Sequence, residues 1–140
     1  MQNGDVAGLA ALRDSTAWIG IKKENDIARV VVADKITMNT QWQTTATGRE
    51  VASQIISGTK NSDTKIWLRI DADIRTTDDG GTATFYYSTD GKKFTPLGET
   101  FKMKREWNYF LGYRFGIFNY ATQSLGGSVK VNSFKVEKQL

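Results

Sequence analysis

Residues 65–75 read Lys-Ile-Trp-Leu-Arg-Ile-Asp-Ala-Asp-Ile-Arg, an alternation that puts Ile66, Leu68, Ile70, Ala72 and Ile74 on one side and Trp67, Arg69, Asp71, Asp73 and Arg75 on the other. A period of two belongs to a strand with one buried face, because successive side chains leave a pleated backbone in opposite directions. Residues 82–88 repeat the pattern, with Ala83, Phe85 and Tyr87 opposed to Thr84 and Tyr86. Further strands are predicted near 6–13, 16–23, 27–33, 34–39, 50–57, 93–97, 111–119 and 128–137. In the last of these Val129 and Val131 give way to Phe134 and Val136 on the other side, a phase break that a bulge at Asn132-Ser133 would produce. Residues 42–56 offer a competing helix. Turn chemistry falls at 23–26, 58–63, 78–81, Asp90-Gly91 and Gly126-Gly127. Strands punctuated every roughly 8–12 residues fit an all-β fold, an antiparallel β-sandwich. Its inward phase predicts a core of Ile66, Leu68, Ile70, Phe85, Tyr87, Phe115 and Ile117.

A chain of 140 residues without repeat, linker or low-complexity tract reads as one domain, residues 1–140. A domain of this size buries roughly 65–70% of its unfolded surface and needs no staples. With no Cys and no His, thiol nucleophiles, Ser-His-Asp triads and ordinary structural zinc sites are excluded, so catalysis would fall to carboxylates, Tyr or Lys. The 19 basic and 15 acidic residues are scattered, and the formal charge of +4 forms no block. Nucleic acid needs clustered cations along a face, so it is not an expected partner. No apolar run approaches the ~18 residues of a spanning helix, and a membrane is not an expected partner either. The first residues lack a signal peptide's charged and apolar regions. The compartment is therefore unwritten, with periplasm or exterior favoured if the native protein has a leader.

Trp67, Arg69, Asp71 and Asp73 share one strand face, and Tyr86 on the neighbouring strand extends it. A sugar is held by an aromatic platform under its C–H face with planar polar groups on its hydroxyls, and this face supplies both. Alternating Arg and Asp is equally how a solvated sheet face pairs its charges, with Trp67 partly covered by a loop. Asp71 and Asp73 also lie about 6.7 Å apart along a strand, near the short end of the spacing used by inverting glycosidases. Arg69 and Arg75 flank them, however, and would hold both carboxylates ionised, leaving no acid at neutral pH. No catalytic residue is assigned. Arg114, between Gly112 and Gly116, is the remaining ligand candidate, with tight packing as the alternative. Trp107, Tyr109 and Phe110 would line a groove or fill the core. Asp78-Asp79-Gly80-Gly81 has adjacent acids but no further oxygen ligands in sequence, so a solvent-exposed turn is expected rather than a calcium loop. No cofactor or metal is assigned.

The order of the pieces is more specific than any one of them. Tyr87-Ser-x-Asp90-Gly91-x-x-Phe94-x-x-Leu97-Gly98, then Phe101-x-Met103, then Gly-Tyr-Arg-Phe-Gly-Ile-Phe-Asn-Tyr-Ala-Thr over 112–122, then Gly126-Gly127, resembles the concanavalin-like C-terminal domain of family 43 glycoside hydrolases, the β-xylosidases and arabinofuranosidases. Gly4-Asp-Val-Ala-Gly-Leu-Ala-Ala-Leu12 and Ala17-Trp-Ile-Gly-Ile-Lys-Lys23 are similar to that family's GDxAGLAxL and aromatic-x-G-[IV]-K-K segments. Residues 24–63 match loosely, and Asn132 stands where relatives often carry Asp. Because family members usually have further strands before the GDxAGL segment, the resemblance implies an excised or N-terminally trimmed domain. It further implies a jelly-roll sandwich without catalysis of its own, packed on a five-bladed propeller that hydrolyses xylan- or arabinan-type hemicellulose and helping to close its pocket. The implied partner is that catalytic glycosidase domain. An autonomous module binding xylo- or arabino-oligosaccharides at Trp67, Arg69, Asp71, Asp73, Tyr86 and Arg114 is the alternative.

Overall fold

Alternating side chains demand paired strands, and pairing is what the chain adopts. The computed structural model describes residues 1–57, 64–106 and 112–139. Their regular elements are all strands: β1 (Asp5–Leu12), β2 (Ser15–Glu24), β3 (Ile27–Met38), β4 (Thr44–Ser57), β5 (Trp67–Asp73), β6 (Thr82–Ser88), β7 (Thr95–Pro96), β8 (Phe101–Lys102) and β9 (Arg114–Ala121). A larger sheet has the order β4-β3-β2-β1-β9; a smaller one has β5-β6-β7, with β8 also on β6. Every ladder is antiparallel.

Between the sheets lies a cluster of Ala17, Ile19 and Ile21 from β2, Val30 and Val32 from β3, Ala83 and Phe85 from β6, and Met103. Ile66, Leu68, Ile70 and Tyr87 pack against it, as their phase requires, and remain partly open; Leu68 and Ile70 stand on β5, the end strand of its sheet. Phe115 and Ile117 depart from expectation. Their register partners Ala11 and Leu9 oppose Ala17 and Ile19, so they have the inward phase, yet they are 41% and 50% exposed. Among the described residues the smaller sheet meets β1, β2 and β3, and Phe115 and Ile117 on the inner side of β9 stay partly open.

Segments 27–33 and 34–39 form one strand, in which Lys35 (φ 57°) and, on the paired strand, Gly48 (φ 89°) both enter the left-handed region. Residues 44–57 are strand rather than helix, because pairing with β3 along their whole length outweighs the local propensity of residues 48–56. The 93–97 strand contracts to two residues ending at Pro96, which has no N–H to extend a ladder. Residues 128–137 form no strand; Val129, Val131, Phe134 and Val136 are exposed, so the expected bulge has no ladder to interrupt. Their alternation is a preference, and a strand exists only where an edge accepts it. Trp107, Tyr109, Phe110 and the 58–63 turn lie outside the described residues.

Candidate functional site

The β5–β6 ladder sets Arg69 opposite Tyr86 and Asp71 opposite Thr84, placing Trp67, Arg69, Asp71, Asp73 and Tyr86 on the outer face of the smaller sheet. Arg69 is the centre of this face. Its Nε lies 3.1 Å from an Asp71 oxygen, and its guanidinium sits 4.3 Å from the Tyr86 ring centroid and 4.6 Å from that of Phe94. Tyr86 therefore already carries a cation on its ring. Trp67 is 37% exposed and rests on the Asp90-Gly91 turn: a Cβ at Gly91 would fall 2.7 Å from the indole. Gly91 has φ 71°, and Asp90 fixes the turn by accepting from the backbone N–H groups of Lys92 and Lys93. Trp67 thus meets a loop as well as solvent.

Asp73 accepts two hydrogen bonds from Arg75 Nε, at 3.0 and 3.1 Å, and another from Arg75 Nη2 at 2.6 Å. That guanidinium, with the Arg75 backbone N–H, holds its carboxyl down at about 2. An acid that releases its proton near pH 2 cannot protonate a leaving group at pH 7. At the 78–81 turn Arg105 Nη2 donates to the carbonyl of Gly80 and to that of Thr77 just before it. Arg114 stands on β9 in the larger sheet, opposite Leu12, so it does not join the Trp67 group.

Two clusters went unseen in the sequence. At the β1–β2 turn, buried Arg13 and Asp14 form an ion pair (3.2 Å), Lys104 reaches Asp14 (3.4 Å), and Arg13 Nη1 donates to the Lys104 carbonyl (3.0 Å). The Tyr113 hydroxyl joins in, donating to the Ser15 carbonyl and accepting from the Lys104 N–H, while burial raises its pKa. The second cluster lies on the outer face of the larger sheet. Trp18 meets Phe118 edge-on (5.2 Å) and Phe118 meets Tyr120 (6.0 Å), beside a closed ring of ion pairs: Lys22–Glu24, Glu24–Arg29, Arg29–Glu50 and Glu50–Lys22. The bond to Lys22 leads in lowering the pKa of both Glu24 and Glu50, and the bond to Glu50 leads in raising that of Lys22. Two signals pointed to this face: Trp18 is out of phase with Ile19, and Lys22 with Ile21. Nothing in sequence tied them to Glu50 on β4 or Tyr120 on β9.

Two antiparallel sheets around an apolar core, with aromatic and charged residues on both outer faces, define a β-sandwich of the concanavalin A-like class. The model of the β-xylosidase C-terminal concanavalin A-like domain matches residues 1–137, and the chain belongs to that family. A similar solved structure is a GH43 glycoside hydrolase whose engineered active site displays both endo-xylanase and exo-arabinofuranosidase activity. It shows 46% identity and a TM-score of 0.81 over 91% of this chain and 25% of its own. A bifunctional GH43-CE protein of Bacteroides eggerthii shows 28% identity and a TM-score of 0.71 over 91% of this chain and 14% of its own. The chain spans a quarter or less of these relatives. No curated protein matches it.

Proposed function

We propose that this chain is a non-catalytic accessory domain of a hemicellulose-degrading, β-xylosidase-like glycoside hydrolase, seated against the enzyme's catalytic propeller and helping to shape its pocket. The observation that carries this reading is the exposure of inward-phase apolar side chains on β9. Phe115 and Ile117 hold core positions in phase yet are 41% and 50% exposed, with no covering strand among the described residues. Apolar side chains left open on an inward phase call for polypeptide from elsewhere, and covering each fully is worth about 1.5–3 kcal/mol. The two GH43 relatives supply the candidate, since most of each chain lies outside this domain.

The test joins this domain to its catalytic domain in the intact enzyme and replaces Phe115 and Ile117 by Ser together. The doubly substituted enzyme is expected to melt earlier and lose kcat/KM on aryl xylosides, with a larger loss of stability than the same pair of changes causes in the isolated chain. Unchanged melting and kinetics in the intact enzyme would sink the docking assignment.

A further inference from the structure

We infer that the outer face of the larger sheet, at Tyr120, Phe118, Trp18 and the Lys22–Glu24–Arg29–Glu50 ring, is a binding site for a neutral oligosaccharide. This face is opposite in direction to the inner side of β9 and independent of the docking proposal. Register builds it: Val6 lies between Tyr120 and Lys22, and Lys22 is paired to Arg29, so the aromatic row and the ion ring are neighbours on one surface. Tyr120 registers that adjacency, for after burial the charges of Lys22 and Glu50 are what act on its hydroxyl. Tyr120 closes the aromatic row and is 49% exposed, whereas Val6 beneath it is closed to solvent.

The ligand class follows from what this surface offers. Two cations and two carboxylates in a closed ring cancel in net charge, so neither an anionic nor a cationic ligand gains long-range attraction. Hydrogen-bonding capacity is left over: a lysine ammonium has three N–H groups and a guanidinium five, while each of these cations is engaged with two carboxylates, and each carboxylate has lone pairs beyond its two partners. The groups are also fixed by one another, which reduces the ordering a ligand must impose. An exposed aromatic ring beside fixed donors and acceptors, without net charge, matches a pyranose or furanose: C–H groups against the ring and hydroxyls toward Glu50, Lys22 and Arg29. An acidic sugar would find its attraction to Lys22 and Arg29 offset by Glu24 and Glu50.

Titration of the 140-residue chain with neutral xylo- and arabino-oligosaccharides, followed by calorimetry and by amide chemical shifts, tests this. Saturable binding is expected, with shifts centred on β2 and β9, insensitivity to salt, and no preference for oligogalacturonate. Tyr120→Ala and Glu50→Gln should each weaken it by about tenfold or more, whereas Trp67→Ala should leave it unchanged. Glu50→Gln preserves size and shape, so it decides the matter if Tyr120→Ala fails to fold. No saturation with either neutral sugar, as for a face reserved for protein contact, would overturn the inference. So would binding that survives Glu50→Gln or disappears with Trp67→Ala.

Discussion

Arg69 is gripped from three directions, by Asp71 along its strand and by the rings of Tyr86 and Phe94 across the sheet. A guanidinium between two aromatic faces keeps its charge partly in water while covering apolar surface. Replacing it with Ala is expected to cost roughly 1 kcal/mol, mostly from the lost ring contacts, since an exposed ion pair adds little. Urea unfolding measures this, and a neutral outcome would show the rings indifferent to the cation. Asp73 gives a pH signature. Its folded pKa is lowered to about 2 from 3.8 by the Arg75 hydrogen bonds, so its stabilisation is complete above pH 3.8 and fades as pH falls toward 2. An Asp73→Asn chain should show a shallower acid-induced loss between pH 4 and 2, and carboxyl NMR should find the Asp73 midpoint near 2.

Strand phase makes its sharpest prediction by comparing two phenylalanines. Phe85 is 1% exposed between the sheets and Phe115 is 41% exposed, although both face inward. Phe85→Ala should therefore cost the isolated chain about 3–5 kcal/mol, and Phe115→Ala only about 1 kcal/mol, because cavity formation needs walls on both sides. Equal losses would mean that β9 is covered. Glycines pinch β1 to β2: a Cβ on Gly20 would fall 2.6 Å from the Ala7 carbonyl oxygen, so Gly20→Ala should cost about 1–3 kcal/mol by prying the pair apart. These elements were legible to different depths. The alternation in 65–75 and 82–88 located β5 and β6 and their inward residues, because period and phase are local properties. Pairing partners are not local, which is why 44–57 stayed ambiguous with helix and 128–137 read as a strand that the fold does not pair. The same limit applied to the surfaces. Trp67, Arg69, Asp71 and Asp73 were visible as one face because they share a strand, while the ion ring spans three strands and appears only when β2, β3 and β4 are aligned.

Across the whole molecule, the arrangement of charge bears on whether the sandwich can hydrolyse anything alone. Glycoside hydrolysis by paired carboxyl groups needs one held protonated near neutrality beside one ionised. Three carboxylates on the sheet faces are drawn the opposite way: the bond to Arg75 pulls Asp73 down, and the bond to Lys22 pulls Glu24 and Glu50 down. Each of these three charges is satisfied by a cation, a pattern that keeps a sheet face soluble and keeps these groups ionised at neutral pH. The purified chain is therefore expected to release no nitrophenol from aryl xylosides or arabinosides at pH 5–8, with the rate indistinguishable from buffer. Asp71→Asn and Asp73→Asn should change nothing in that assay. Turnover above buffer that vanished in either variant would place an acid and a nucleophile on β5 and make the domain an enzyme in its own right. Absence of turnover in the chain alone, joined to its presence in a larger GH43 chain that carries this domain, is the outcome expected of the accessory role proposed above.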